Sequence, residues 1–498
     1  MNNHPTDGVY DVIIIGAGIS GINTAYHIQH RNPSLTYCIL EARDNIGGTW
    51  DLFRYPGIRS DTDLHTFGFS WNPWNENRAI ADGGSIASYL CDSAKKEGID
   101  RHILFRHRVD CANWSTALRL WGLNVETKGG HYVALQARFL VLGTGYYDYT
   151  EGLQADIPGL STNFTGTIAH PQFWPEDLDY ANKRVVIIGS GATAITLLPN
   201  IATKAAHVTM VQRSPTYIMS MNNETGRSWR HKLLPRSWSF KIDRWIFMWT
   251  IVILYNICRL FPKRSRKVLQ GAVEKQLPEH ISIDPHFTPS YKPWDQRLCF
   301  APNGDFFESL RAGKAHIETG HIKSVTTDYV ILDSGKQLEA DIIIPATGLK
   351  LAIGGRISIS VDKESVDLAD RYAWHSALLQ DVPNLALMMG YTNASWTLGA
   401  ETTGHLLSRL LQHMKRKGYN TVIPRVPTGS LIQPRRMWNL DSTYVKKAVS
   451  SMPRCGDIGP WKGRVNYFVD LWKAKYGSIT RDLEFQTIPV SHFICTYT

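Results

Sequence analysis

Apolar positions recur along the chain in two similar blocks. The run "YDVIII" at 10–15 is apolar but for Asp11 and unbroken from Val12 to Ile15, as in a strand buried on both faces of a parallel sheet. The following "GAGISGINTAYHIQH" turns on glycines and then takes helical spacing, and "TYCILEA" is apolar again. This predicts a strand–helix–strand unit. The block returns as "RVVIIG", "GSGATAITLLPNIAT" and "VTMVQRS" between 184 and 214. Two more apolar strands, "FLVLGTG" and "DIIIPATG", end in small-residue turns, which suit a chain crossing between domains close to a ligand. The pattern predicts an α/β protein with two Rossmann-like dinucleotide-binding domains and a helical insertion. The expected division is 1–150 and 379–498 for the first domain, 151–222 and 331–378 for the second, and 223–330 for the insertion.

The insertion breaks the rhythm with "WIFMWTIVILYNICRLF" at 245–261, followed by the basic "PKRSRK". The apolar run falls short of the roughly 20 residues a spanning helix needs, and Asn256 and Arg259 interrupt it. It reads as a helix with three possible uses: a buried core element, the lining of an apolar substrate channel, or a surface patch for peripheral membrane contact through 245–267. In the last case Lys263, Arg264, Arg266 and Lys267 would assist. Further on, "PNLALMMGYTNASW" reads as strand then loop. "TTGHLLSRLLQHMKRKG" reads as an amphipathic helix with Leu406, Leu407, Leu410 and Leu411 on one face and Gly418 as its stop.

Composition narrows the class. A length of 498 residues suits several domains, and the net charge of +10 suits anionic partners such as phosphate cofactors or acidic membranes. No nucleic-acid-reading motif occurs, so no nucleic-acid partner is expected. The seven cysteines are scattered without a Cys-x-x-Cys, which speaks against a disulfide framework or a metal site and for a reducing, cytoplasmic setting. The polar lead "MNNHPTDGVYDVIII" does not read as a signal peptide.

The glycine turns carry the chemistry. In the first, Gly16 permits the tight turn, Gly18 lets backbone approach a pyrophosphate, and Gly21 lets helix and strand meet. The helix N-terminus, including the N–H of Ser20, faces the phosphates. Glu41 ends the next strand, where a carboxylate accepts hydrogen bonds from ribose hydroxyls. The "NIGGTW" loop beyond it lets backbone run against a flavin, so this cradle is expected to take FAD. The second cradle is Gly189, Ser190, Gly191, Ala192, Thr193 and Ala194, and its following strand ends in Arg213 and Ser214 instead of an acid. An arginine attracts the 2′-phosphate that a carboxylate would repel, so NADPH is expected there.

Two strings then match a known family. Phe164-x-Gly166-x3-His170-x3-Trp174-Pro175 and Gly47-Gly48-x-Trp50-x4-Tyr55-Pro56-Gly57-x3-Asp61 resemble the fingerprints of type I Baeyer–Villiger monooxygenases. "TWDLFRYPGIRSD", "VTMVQRSPTYI", "YKPWDQRLC" and "GYTNASWTL" resemble the subgroup that activates the thioamide ethionamide. The resemblance runs over about residues 10–480. It implies that NADPH reduces FAD, that O2 adds to give a C4a-peroxyflavin, and that one oxygen is inserted beside a ketone carbonyl to give an ester or lactone. Sulfides or thioamides would be oxidised too, and the alternative is a heteroatom monooxygenase with little ketone activity. It implies that Arg297 stabilises negative charge on the reacting oxygens, that Asp61 orients Arg297 and meets the flavin, that Thr49 and Trp50 lie against the flavin with Arg54 flanking, and that Val109 meets the FAD adenine. Asn393 to Thr397 would border the flavin or the substrate. The 164–175 string would link the two nucleotide domains, with His170 a hydrogen-bonded linker. Relatives often carry Lys where Gln296 stands, so the resemblance does not extend to that second cationic contact to NADP, and whether Lys292 compensates is left open. A disulfide-reductase reading lacks its dithiol. The 16 tryptophans and the apolar insertion lean toward a hydrophobic substrate. Oligomeric state has no signature in the sequence.

Overall fold

Alternating strands and helices wind the chain into two main sheets, in a computed structural model that describes residues 8–224 and 233–487. The first sheet has 11 strands. Its parallel heart is Val9–Ile15, flanked by Tyr37–Glu41 on one side and Tyr132–Leu142 on the other. Arg108–Ser115, Leu120–Glu126 and Tyr132–Leu142 form an antiparallel meander, and Leu385–Leu387 returns parallel to Tyr132–Leu142. The second sheet has 5 strands, in the order Ala315–Thr319, His207–Gln212, Arg184–Ile188, Ile342–Pro345, Thr167–Ile168, all parallel.

The apolar runs explain the layering. Val12 and Ile14 face the helices Ile19–Arg31 and Trp396–Lys417, while Ile13 and Ile15 face a core with Trp114, Trp121 and Leu123. In the second sheet, Val185 and Ile187 face one core and Val186 and Ile188 the other. Burying each such side chain contributes about 1.5–3 kcal/mol, which is why both faces must be covered. Gly418 ends the long helix at φ +71, the left-handed cap its sequence announced.

Strand pairing places Ala315–Thr319 in the second sheet, inside the stretch 223–330 read as an insertion. It places Ser358–Val361 in the first sheet, inside the stretch 331–378 read as second-domain. Both strands are short, and their pairing is a matter of tertiary register, which periodicity does not display. Of the insertion, the helices Arg236–Leu260 and Pro262–Glu274 stand out, joined at a 117° bend. The first starts well before the apolar run. It is not simply a core helix: Met248 and Cys258 are buried, whereas Trp245 and Trp249 are about half exposed. Among the described residues no single helix is long and apolar enough to cross a membrane. Six cysteines are free thiols, four of them buried, and Cys495 lies outside the described residues.

Candidate functional site

The first cradle is built as its glycines require. Gly16 takes φ +104, and a Cβ there would come 2.7 Å from the Gly143 carbonyl oxygen. A Cβ on Gly21 would lie 1.9 Å from the Gly16 oxygen, so helix and strand can meet only at glycine. Gly18 begins the helix Ile19–Arg31 without a side-chain cap, leaving first-turn N–H groups for an anion. Glu41 is buried and accepts from the backbone N–H of Ala17 at 2.7 Å and of Arg43 at 2.9 Å. Burial raises its pKa, and those N–H groups work against the rise. Ser20 is buried, and its Oγ accepts from Trp396 Nε1 at 2.9 Å. The Gly47–Gly48 loop folds back on the cradle: a Cβ on Gly18 would lie 3.6 Å from the Gly48 Cα.

A cleft with about 1790 Å³ of unfilled space, part of it open to solvent, starts at this cradle and runs toward the second sheet. Gly16, Gly18, Ser20, Glu41, Thr49, Trp50 and Val109 line it, as do Asp61, Ala192, Thr193 and Arg297. A long dinucleotide fits that shape: glycine-floored at one end, aromatic along its length, cationic at the far end. The sequence reading missed Tyr146, Tyr147 and Tyr149, which also line the cleft. They follow directly on the Gly143-Thr144-Gly145 turn, and an aromatic run after a small-residue turn was the available signal. Tyr149 meets Thr49 at 3.3 Å and Tyr146 stacks on Trp396 at 4.6 Å.

Arg297 and Asp61 come together from distant parts of the chain, Nε to Oδ2 at 3.2 Å. Arg297 is set by the strand Cys299–Pro302, which pairs parallel with Ile218–Met221. Burial works to lower the Arg297 pKa. Asp61, and after it Tyr146, Tyr444 and Tyr147, outweigh burial and raise it, so the guanidinium stays charged. Burial likewise lifts the Tyr146, Tyr147 and Tyr444 hydroxyls above the usual phenol range and the Cys299 thiol to about 12, leaving them protonated. A second cavity, of about 830 Å³ with its open part included, shares Asp61, Thr62 and Arg297 with the cleft. Its other walls are mostly apolar, including Met219, Phe247, Ile251, Leu254, Leu298 and Phe300. Asn393, Ala394 and Ser395 line it too, while Trp396 faces the cleft and Thr397 is buried. Asp63, at its rim, caps Leu64–Phe67, and burial pushes its carboxyl up to about 6 against the pull of its Thr66 bonds.

The second cradle lies outside the cleft lining except at Ala192 and Thr193. A Cβ on Gly189, at φ +138, would come 2.2 Å from the Ala346 oxygen. Gly191 begins Ala192–Ile201 with no side-chain cap, and a Cβ there would meet nothing within 4 Å. That opening over a helix N-terminus fits a pyrophosphate. Ala194 is fully buried and serves packing. Ser190 donates to the Ser214 carbonyl at 2.7 Å, and Arg213 is exposed, meeting Thr443 Oγ1 at 3.4 Å with no ion pair among the described residues. Arg54 pairs with Asp51 at 3.1 Å and is outside the cleft lining, as are Lys292 and Gln296. His170 caps Pro171–Phe173 by accepting from Gln172 N at 3.2 Å, and its other ring nitrogen lies 3.4 Å from the Leu153 oxygen. Burial lowers its pKa, as suits a neutral linker histidine.

The chain is similar to several known proteins. Residues 13–227 match the pyridine nucleotide-disulphide oxidoreductase family. The FAD-containing monooxygenase EthA of Mycolicibacterium smegmatis is 44% identical over 475 residues, covering 95% of this chain and 96% of its own. The probable FAD-binding monooxygenase AlmA of Acinetobacter baylyi is 43% identical, over 92% of each chain. The crystal structure of OTEMO in complex with FAD and NADP superposes with a TM-score of 0.74 at 20% identity, covering 96% of this chain and 99% of that one, a likeness of fold.

Proposed function

The chain belongs to the type I Baeyer–Villiger monooxygenase family, in its EthA-like subgroup of FAD-containing monooxygenases, and on that premise we propose a function for its site. It is an NADPH-dependent flavoprotein monooxygenase. The proposed reaction converts an apolar ketone, O2, NADPH and a proton into an ester or lactone, NADP+ and water. Bound FAD, once reduced, supplies the activation of dioxygen.

The chain's own residues supply the rest. Gly16, Gly18, Gly21 and the free N–H groups of Ile19–Arg31 hold the FAD pyrophosphate, with Glu41 toward the ribose. Trp50, Thr49, Asp61 and Val109 line the flavin's course. The second cradle, from Gly189 to Thr193 and packed behind by Ala194, holds NADP, with Arg213 and Ser214 on the 2′-phosphate. The observation that carries the reading is Arg297, held by Asp61 where cleft and apolar cavity meet. A guanidinium there faces negative charge developing on a carbonyl oxygen without reorganising. The surrounding phenols are neutral donors, and the apolar cavity excludes water from the reacting carbon.

A thioether fits the same cavity, and the test separates the two. Purified enzyme is given NADPH and equal amounts of a long-chain or aryl ketone and a matching thioether, with products read by mass spectrometry. The ketone reading predicts ester within the same order of rate as sulfoxide. Sulfoxide alone would assign heteroatom chemistry instead.

A further inference from the structure

The helix Arg236–Leu260 has two faces with different surroundings. Its inner face carries Phe247, Ile251 and Leu254 into the apolar cavity. Buried Arg244 anchors it, donating to Glu401 Oε2 at 3.0 Å and to the Gly68 carbonyl at 2.7 Å. Its outer face leaves apolar side chains in solvent: Trp245 is 53% exposed, Trp249 50% and Leu260 72%. The face extends sideways because Phe468 stacks on Trp249 at 4.5 Å and on Trp245 at 5.8 Å. That contact joins it to the helix Tyr467–Tyr476, whose Trp472 is exposed. Beyond the 117° bend, Val268 is exposed as well. Exposed apolar side chains clustered around Trp245, Trp249 and Phe468 mark a contact surface.

Charge identifies the partner. Lys241, Lys263, Arg264 and Lys267 are exposed on the same two helices, whereas Asp243 is buried and Glu274 stands at the far end. Exposed tryptophans beside lysines and arginines are the composition of a helix lying in the interface of an anionic bilayer. A symmetric pairing of two copies would bring these like charges together. The 117° bend disposes the pair to lie along a surface instead of spanning it straight.

We propose that this surface docks on an anionic lipid bilayer and so holds the apolar cavity about one helix diameter, ~10 Å, from the acyl chains in which apolar substrates dissolve. The delivery of substrate rests on the functional reading above; the docking does not.

The test uses the FAD-loaded full chain, sedimented with phosphatidylcholine vesicles with and without about a third phosphatidylserine. Partitioning should be at least ~10-fold stronger on the anionic vesicles and should fall at high salt. Lys263→Gln/Arg264→Gln/Lys267→Gln should weaken it about 100-fold, and Trp245→Ser/Trp249→Ser at least ~10-fold. Lys263→Gln/Arg264→Gln/Lys267→Gln should keep the parent's melting temperature, and both variants should keep its flavin and its turnover of a water-soluble substrate. Equal binding to neutral vesicles, or no binding to either, would overturn the proposal. So would a dimer, seen by light scattering, that Trp245→Ser/Trp249→Ser dissolves. Sedimentation involves no turnover, so its failure leaves the oxygenation chemistry standing.

Discussion

Arg297 brings a fixed positive charge to the wall shared by two cavities, and Asp61 at 3.2 Å sets its direction. Removing it should separate reduction from oxygenation. Arg297→Ala is expected to consume NADPH within about tenfold of the parent rate while product falls at least ~100-fold, the usual weight of an oxyanion-stabilising group. Chromatography of the product beside absorbance at the NADPH band measures both. Arg213 gives a second test: Arg213→Ala should raise the KM for NADPH at least ~10-fold and leave that for NADH nearly unchanged, since only NADPH carries the 2′-phosphate. Equal losses with both cofactors would remove Arg213 from that role. At this scale the sequence was informative wherever a residue answers to local chemistry. Gly21 is explained by a single close approach, and Gly16 by a positive φ against the Gly143 carbonyl. The tyrosines around Arg297 were not legible, because Tyr444 reaches it from the far end of the chain and only the folded structure brings them together.

The element with most at stake is the helix Trp396–Lys417, packed against the cradle helix Ile19–Arg31. Its leucine face and its Gly418 stop were readable from spacing, but its start was not. It begins at Trp396, inside a stretch read as loop, because Gly399 and Gly404 weaken the local helical signal while close packing demands them: a Cβ on Gly404 would lie 2.5 Å from His27 Cδ2. The packing also makes this junction pH-sensitive. His405 meets His27 at 4.3 Å, and burial lowers its pKa from 6.5 to about 4, against the opposing influence of Glu401. A histidine depressed on folding stays neutral in the folded state. Its contribution is therefore complete above pH 6.5 and is lost as pH falls toward about 4. Thermal denaturation across that window should show a smaller fall in Tm for His405→Gln than for the parent. An equal fall would mean that His405 is already protonated in the folded chain.

Across the whole molecule, the proposed function depends on two sheets meeting along one cleft. Arg59 pairs with Asp305 across this junction, and Tyr147 bridges to Leu351. The two-domain α/β plan was legible because each strand–turn–helix block is local and strongly patterned. The crossings were less so, since short strands such as Ser358–Val361 gain their identity only by pairing with Arg108–Ser115. In the proposed reaction this cleft directs one atom of O2 onto a substrate lying beside Arg297. The most direct measurement is turnover of a ketone and a thioether with NADPH under isotopically labelled O2 in ordinary water, followed by mass spectrometry. The parent enzyme should give one labelled oxygen per molecule of product, and Arg297→Ala almost no labelled product. Product oxygen drawn from water, or labelled product formed equally well without Arg297, would contradict it.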